Sequence, residues 1–317
     1  MASIEWVPFL FAVIFLLLNH MIKVAIIINA YRKQTEQVNS LLQKCIKSVE
    51  MDTIVYKTQG QKDAINFAIE CCENKMDVII AVGGDGTVNE IVNGILIGDC
   101  HTPRLAIIPN GTGNDFVRSM HLNCDLNKFY DALLSNVYKT VDIGQIDYED
   151  QKRYFMNVGD VGFGGKVVQV LDKQRSYMGG KASYALAILR SFIGYRRPVL
   201  QIVGDNFQYE GIVLLVAFCN GPIFGDGIVI NPFAKMNDGK LSVTLFGKVS
   251  LLDYVRNLKS LKSGKAIDHP EAKYFETSHL EIKIIHGKAV TETDGEYLPH
   301  GNLKVSIAKA KIDVLVY

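Results

Sequence analysis

The segment that most constrains the fold of this chain is residues 77–90, DVIIAVGGDGTVNE. Four apolar residues lead into a glycine-rich turn, and apolar residues then recur at helical spacing from Val88 to Ile95. A buried strand that ends in glycines and opens a helix can hold a phosphate, because backbone N–H groups and the positive helix end face the ligand. Asp85 would repel that phosphate unless a cation lay between them. The segment therefore predicts a site for a metal ion and a nucleotide.

Strands and helices alternate through the first half of the chain. Residues 22–28, 53–56, 78–82 and 105–108 read as strands, and amphipathic or apolar helices separate them. This order predicts an α/β N-terminal domain with a doubly wound parallel sheet. Ligands of such sheets lie beyond the carboxyl ends of the strands, where residues 83–87 and 109–115 follow.

The second half has a different pattern, with short alternating runs between turn signals. It predicts a mostly antiparallel, all-β, sandwich-like C-terminal domain. Hairpin turns are predicted at residues 204–206 and 286–288, and helices only at 184–192 and 250–261. The predicted strands are residues 154–158, 199–203, 207–218, 241–246, 279–285 and 303–316.

These patterns predict two domains with a ligand cleft between them. Residues 21–142 form the nucleotide-binding α/β domain, and residues 143–317 form the β-rich substrate domain, whose last strand could return to the first. Residues 1–20 are a separate apolar segment. It is too short for an ordinary spanning helix, and the signals for secretion are missing. Three alternatives stay open for it: a membrane anchor, an unstructured extension and a buried core segment.

Composition excludes several classes of function. The net charge of +1 gives no electrostatic case for binding nucleic acid. Six cysteines form no CxxC pair, which indicates buried thiols in a reducing, cytoplasmic compartment. The chain has no GxxxxGK[ST], HExxH or GxSxG motif, and Asn89 interrupts a dinucleotide-binding GxGxxG.

Five blocks occur in a characteristic order: GGDGTVNE (83–90), IPNGTGNDFVR (108–118), VDIG (141–144), NPFAKMNDGKL (231–241) and TDGE (293–296). Together they resemble the bacterial diacylglycerol kinase family of lipid kinases, which includes the catalytic domains of sphingosine and ceramide kinases. The resemblance spans residues 21–317. It implies a kinase that uses ATP and Mg²⁺ to phosphorylate a hydroxyl of diacylglycerol or a related lipid.

The resemblance also implies roles for single residues. Glu296 matches the general base, and Asp85, Asp115 and Asp142 match an acidic network of water and metal near the phosphates. Read from the residues alone, Asp115 also fits a helix N-cap, Asp142 a turn and Glu296 a surface hairpin. The predicted nucleotide contacts are Asn29, Thr58, Gly83, Gly84, Asp85, Gly86, Thr87, Asn89, Glu90 and Thr112.

Two further segments bear on the bound ions and nucleotide. A second Mg²⁺ is expected at Asp238 with the backbone carbonyls of Lys235 and Lys240, although an Asp-Gly turn without metal fits as well. The first strand departs from the family's NPxSG loop, since it continues as Asn29-Ala30-Tyr31-Arg32-Lys33. Arg32 or Lys33 could replace the missing backbone contacts by charge.

Two other functions stay open. An NAD kinase shares GGDG, and a non-catalytic module of the same fold could bind nucleotide or lipid. The expected partner is a lipid substrate at a membrane surface, reached by peripheral association through the N-terminus or through apolar residues such as Phe163 and Ile223-Phe224. The sequence leaves both a monomer and a homodimer open.

Overall fold

The computed structural model describes residues 21–98, 101–174, 181–298 and 302–317. The three alternatives for residues 1–20 therefore lie outside the described residues. Within the described ranges, no helix combines the length and the apolar character needed to cross a bilayer.

A six-stranded sheet forms the first half of the molecule. Its strands are β1 (Ile22–Asn29), β2 (Met51–Thr58), β3 (Val78–Gly83), β4 (Arg104–Pro109), β5 (Tyr138–Val141) and β20 (Ile312–Leu315). They lie in the order β2-β1-β3-β4-β20-β5, and all neighbours are parallel except β20 and β5. The last strand of the chain thus lies in the first sheet, although the boundary at residue 142 stays a prediction.

Five helices cover both faces of this sheet: α1 (Glu36–Ile46), α2 (Asp63–Glu73), α3 (Asp85–Gly98), α4 (Asp115–Ser119) and α5 (Leu126–Ser135). Alternate residues of the buried strands point to opposite faces. Ala25 and Ile27 pack with α2, α3 and α4, whereas Val24 and Ile26 pack with α1 and α5. The predicted doubly wound α/β domain is confirmed.

Two antiparallel sheets form the second half. One contains β6 (Gly144–Tyr148), β7 (Gln151–Phe155), β9 (Val199–Gly204), β10 (Gln208–Ile212), β16 (His279–His286) and β19 (Leu303–Ile307). The other contains β8 (Val158–Gly162), β11 (Leu215–Cys219), β14 (Leu241–Phe246), β15 (Ala272–Thr277), β17 (Thr291–Thr293) and β18 (Glu296–Leu298). Their facing side chains form one apolar core, so the predicted sandwich is confirmed.

The outer face of the β8-containing sheet packs against three helices and a small hairpin. They are α6 (Phe163–Gln174), α7 (Lys181–Phe192), α8 (Leu251–Ser263) and the strands β12 (Ile223–Phe224) and β13 (Ile228–Val229). A capping box between Ser250 and Asp253 starts α8, and Gly264 with a φ of 71° ends it.

Several predicted elements were wrong in detail. Helix α6 was not predicted, and the predicted helix after the glycine-rich turn begins at Asp85. Residues 207–218 and 303–316 are each two strands in different sheets, and residues 154–158 span the end of β7 and the start of β8. Residues 286–288 are not a hairpin turn, because β16 and β17 belong to different sheets, whereas the hairpin at 204–206 is confirmed.

Candidate functional site

The carboxyl edge of the first sheet brings most of the predicted nucleotide residues together. Asn29 and Thr58 are register partners at the ends of β1 and β2, and Gly83 pairs with Pro109. Asn29 Nδ2 donates a hydrogen bond to Thr87 Oγ1 at 3.1 Å. The edge is therefore one continuous surface lined by four strand ends and the first turn of α3.

Arg32 takes part in this edge. Both of its terminal nitrogens donate to Thr112 Oγ1 at 3.3 Å. The chain lacks the glycine and serine that the family has here, and a guanidinium lies there instead. A guanidinium can bind a phosphate through two parallel hydrogen bonds, so it suits the same ligand.

The glycines allow the loops after β3 and β4 to touch. A Cβ on Gly84 would lie 2.9 Å from the Cα of Gly111, and one on Gly83 would lie 2.5 Å from Thr87 Oγ1. Neither position accepts a side chain without displacement of its neighbour. Gly86, in contrast, faces open space in the first turn of α3, where backbone N–H groups have no partner within the helix.

Asp85 and Asp115 place two carboxylates beside these loops. Asp85 Oδ1 accepts from the backbone N–H of Phe116 at 3.2 Å, and the carboxylate of Asp115 accepts from those of Asp226 and Gly227, each at 2.9 Å. Burial raises the pKa of both, and the charge of Asp85 further raises the pKa of Asp115, to about 6. A divalent cation would relieve the repulsion between the two carboxylates, and carboxylate oxygens are ligands that suit Mg²⁺. Asp115 is the first residue of α4, and Asn114 occupies its N-cap.

Asp142 lies in a different environment from the one expected. It is fully buried, its Oδ2 accepts from the N–H of Gly239 at 2.7 Å, and Lys311 Nζ lies 2.8 Å from its Oδ1. The turn at 235–240 binds this carboxylate, so the contacts of Asp142 differ from those of Asp85 and Asp115. Its own N–H donates to Met236 O in the same turn.

The predicted second cation loop is mostly exposed and is held both by a contact within the loop and by contacts with neighbouring elements. Lys240 N–H donates to Asp238 Oδ1 at 3.1 Å, and Lys240 Nζ lies 3.4 Å from Glu276. Among the described residues, no group of three or more acidic, histidine or cysteine side chains could enclose a metal ion. A site made with backbone carbonyls stays a prediction.

Glu296 lies at the end of a tight hairpin between β17 and β18. Asp294 and Gly295 form the turn with φ angles of 47° and 85°, and Thr293 pairs with Glu296. Its carboxylate is half-buried and forms an ion pair with Arg153 of β7. The predicted base is thus held beside a cation on a strand of the sandwich.

Helix α3 connects this hairpin to the sheet edge. Asn89 Nδ2 donates to Asp294 Oδ2 at 2.8 Å, and Asn89 Oδ1 accepts from Arg153 at 2.9 Å. Asn89 was predicted to contact the nucleotide, but both polar atoms of its side-chain amide bind Asp294 and Arg153. Glu90 follows it, and burial and the charge of Glu296 raise the pKa of Glu90.

Sequence reasoning missed two structural residues of this region. Asp294 is partly buried and accepts from the N–H groups of Met156, Asn157 and Val158 at 2.8–3.1 Å as well as from Asn89. The Asp-Gly dipeptide signalled the turn but not these donors. Arg153 had no signal, because its partners are Asn89 and Glu296, at distant sequence positions.

An apolar pocket lies on the helical side of the sandwich. It is bounded by α6, α7, α8 and the β8-containing sheet, and its wall includes Phe163, Val167, Ile188, Phe192, Leu214 and Phe246. Polar groups come from Asp253, Asn257 and His269. Phe163 is therefore a buried wall residue, and Phe224 also lines the pocket.

Comparisons with known proteins match both halves of the chain. Residues 23–146 match the diacylglycerol kinase catalytic domain, and residues 158–316 match the YegS C-terminal NAD kinase beta sandwich-like domain. A diacylglycerol kinase of Staphylococcus haemolyticus is 31% identical over 251 residues, which cover 78% of this chain and 73% of that protein.

Solved structures share the fold. A putative diacylglycerol kinase from Bacillus anthracis has a TM-score of 0.73 at 23% identity, with 93% of this chain and 98% of that chain covered. An NAD kinase from Archaeoglobus fulgidus, solved in complex with ATP, has a TM-score of 0.51 at 12% identity, with 92% and 93% covered. Both likenesses concern the fold alone.

Proposed function

The chain belongs to the diacylglycerol kinase family of lipid kinases, and from that membership we propose that it transfers the γ-phosphoryl group of ATP to a hydroxyl of diacylglycerol or a related lipid. Glu296 is the general base, and Mg²⁺ accompanies the nucleotide.

One observation carries this proposal: α3 connects the nucleotide edge of the first sheet with the hairpin that bears the general base. Its first turn, Asp85 to Thr87, lies at the sheet edge, and Asn89 contacts the hairpin that bears Glu296. At a rise of about 1.5 Å per residue, Asp85 and Asn89 lie roughly 6 Å apart along the helix. A γ-phosphate bound at the first turn would therefore lie near the base.

The residues divide the chemistry between them. Backbone N–H groups at Gly84 and Gly86, with the side chains of Thr87, Thr112 and Arg32, bind the phosphates. Asp85 and Asp115 would hold the Mg²⁺ ion, which would spread the negative charge of the phosphates. Glu296 accepts the proton of the lipid hydroxyl as that oxygen attacks the γ-phosphorus, and the bond from this phosphorus to the β-phosphate oxygen breaks, so that ADP leaves. Arg153 fixes the orientation of the carboxylate.

The apolar pocket supports a lipid acceptor. Its wall of aromatic and aliphatic side chains suits an acyl chain, and burial of each methylene contributes about 0.8 kcal/mol. NAD has no comparable apolar part, so such a pocket has no use in an NAD kinase.

An acceptor assay tests the function. The chain is incubated with γ-labelled ATP and either NAD or phosphatidylglycerol vesicles that contain diacylglycerol, with and without Mg²⁺. We expect Mg²⁺-dependent label in the lipid fraction. Label in NADP would instead identify an NAD kinase, and no label in either fraction would favour a non-catalytic module.

We further propose that the outer faces of α7 and α8 rest on an anionic membrane. Both helices line the apolar pocket on one side and expose aliphatic residues on the other. Leu189 of α7, Ile193 just after it, and Leu252 and Val255 of α8 are 46–76% exposed. The rings of Phe192 and Tyr254 are 6.2 Å apart, which brings the two exposed sets together.

Charge supports an anionic partner for this surface. Residues 248–265 carry five basic side chains and one acidic one, Asp253, whereas the whole chain carries only +1. Arg190, Arg196 and Arg197 add positive charge at the end of α7 and just after it. Basic side chains beside exposed aliphatic residues are typical of surfaces that bind anionic lipid.

Vesicle sedimentation tests this surface. Leu252→Asp with Val255→Asp should weaken binding of the full chain to phosphatidylglycerol vesicles at least about tenfold, since each leucine or valine loses roughly 1.5–3 kcal/mol of burial. Val49→Asp, at an 87% exposed position on the first domain, is the control and should bind normally. Equal binding by all three proteins would refute this surface.

A further inference from the structure

Two buried carboxyl groups outside the proposed chemistry face each other in the sandwich. Asp160 of β8 and Glu292 of β17 are direct partners in the antiparallel pairing, and they are 0% and 2% exposed. Two carboxyl groups on neighbouring side chains in a buried site do not both ionise, so the pair shares a proton.

The surroundings determine which residue holds the charge. Asp160 lies at the N-terminus of α6, where Gly165 N–H donates to its Oδ1 at 3.4 Å and a Cβ on Gly164 would lie 1.9 Å from its Oδ2. A helix N-terminus favours an anion there. Burial raises the pKa of Asp160 to about 7, and burial together with the charge of Asp160 raises the pKa of Glu292 well above its usual range. Glu292 is therefore the neutral acid.

Glu292 also reaches the catalytic hairpin. Its Oε2 accepts from the N–H of Gly295 at 2.8 Å, one residue before Glu296. Gly295 has a φ of 85°, which glycine adopts readily, and the contact with Glu292 fixes its amide at the turn. The other anchor of the turn is Asp294.

We propose that Glu292 is a positioning residue: as a neutral acid between Asp160 and the Gly295 amide, it fixes the hairpin that aims Glu296 at the lipid hydroxyl. This inference rests on the proposed function of Glu296. The pair also joins the hairpin to α6, whose residues Phe163 and Val167 line the apolar pocket. The wall of the acceptor pocket and the base thus share one hydrogen-bonded support.

Other titratable groups around the pair leave this assignment unchanged. They are Asp294 on the hairpin, Cys219 on β11, Tyr184 on α7 and Tyr195 after it. The pKa values of Cys219, Tyr184 and Tyr195 are raised by burial, so these groups are neutral at pH 7. Asp294 is the nearby acid, and its charge opposes ionisation of Glu292.

Two substitutions of Glu292 distinguish an effect of its hydrogen bonds from an effect of its side-chain volume. Glu292→Gln keeps a donor for Asp160 and an acceptor for Gly295, whereas Glu292→Met keeps only the approximate volume. We expect Glu292→Met to lower kcat at least about tenfold with the KM for ATP nearly unchanged, because small misplacements of a reacting group cost up to about 100-fold. Glu292→Gln should stay within about threefold of the parent protein.

Hydrogen exchange of the free protein gives a readout that needs no activity. The Gly295 amide should lose protection in Glu292→Met and keep it in Glu292→Gln. The proposal is overturned if Glu292→Met matches the parent in kcat and protection, or if Glu292→Gln falls as far as Glu292→Met. Normal turnover by Glu296→Gln in the same assay would instead refute the role of Glu296 as general base. The exchange result would still decide whether Glu292 fixes the hairpin.

If Glu292→Met does not fold, a double variant in which both carboxyl groups are replaced by amides still tests the proposal. Asp160→Asn with Glu292→Gln removes titration but keeps hydrogen bonding. Unfolded carboxyls lose their protons near pH 4, whereas the folded pair retains one, so the parent loses stability as the pH rises from about 5 to 7. Each retained proton changes the unfolding constant about tenfold per pH unit. The double variant should show a shallower slope, and an unchanged slope would contradict a shared proton.

Discussion

Replacing Glu296 by glutamine should lower kcat about 100-fold or more while the KM for ATP changes less than about threefold. A positioned general base typically contributes 10²–10⁴ to the rate, and glutamine keeps the shape without accepting a proton. The expected pattern is a loss confined to the chemical step, because Glu296 belongs to the sandwich and the nucleotide edge belongs to the first sheet. Initial rates with γ-labelled ATP and diacylglycerol vesicles measure both constants.

A matched control separates loss of the base from loss of a surface charge. Glu276 is an exposed glutamate of the same sandwich and pairs only with Lys240 among the described residues. Glu276→Gln should therefore keep full turnover. Near-parental kcat in Glu296→Gln would remove the base assignment, and a parallel loss in Glu276→Gln would indicate a general charge effect.

Replacing Asp294 by alanine should lower the free energy of unfolding by at least about 3 kcal/mol. Four donors point at this carboxylate, and each buried donor left without a partner costs about 1–3 kcal/mol. Asp294 also has a φ of 47°, where alanine is strained by about 1–2 kcal/mol. Urea unfolding followed by circular dichroism measures the loss.

The variant Asp294→Asn separates the loss of hydrogen-bond acceptors from the strain of the left-handed backbone conformation. Asparagine tolerates the left-handed conformation and keeps one carbonyl acceptor, so Asp294→Asn should lose roughly half as much stability as Asp294→Ala. An alanine variant within about 1 kcal/mol of the parent would show that the hairpin is not held in this way.

The first four strands of the first sheet could be predicted because their information is local. Apolar runs such as residues 78–82 mark buried strands, and the glycines after them mark the turn into α3. The edge residues follow from this order, since parallel strands end on one side. Asn29, Thr58, Thr87 and Thr112 accordingly lie together.

The rest depends on contacts between distant parts of the chain. Asn89 and Asp294 are 205 positions apart, and no local pattern indicates that an asparagine in a phosphate motif holds a hairpin of another sheet. Helix α6 was missed because it begins Phe163-Gly164-Gly165, and glycines disfavour a helix. Packing against the sandwich overrides that weak local preference.

The most direct test of the central claim is a crystal structure of Glu296→Gln with ATP, Mg²⁺ and a short-chain diacylglycerol. The decisive measurement is the distance from the acceptor hydroxyl to the γ-phosphorus. We expect about 3–3.5 Å, with the hydroxyl beside the substituted side chain, the triphosphate along the edge from Arg32 to Thr112 and the acyl chains in the apolar pocket. A nucleotide bound away from that edge, or an acceptor hydroxyl far from position 296, would contradict the account.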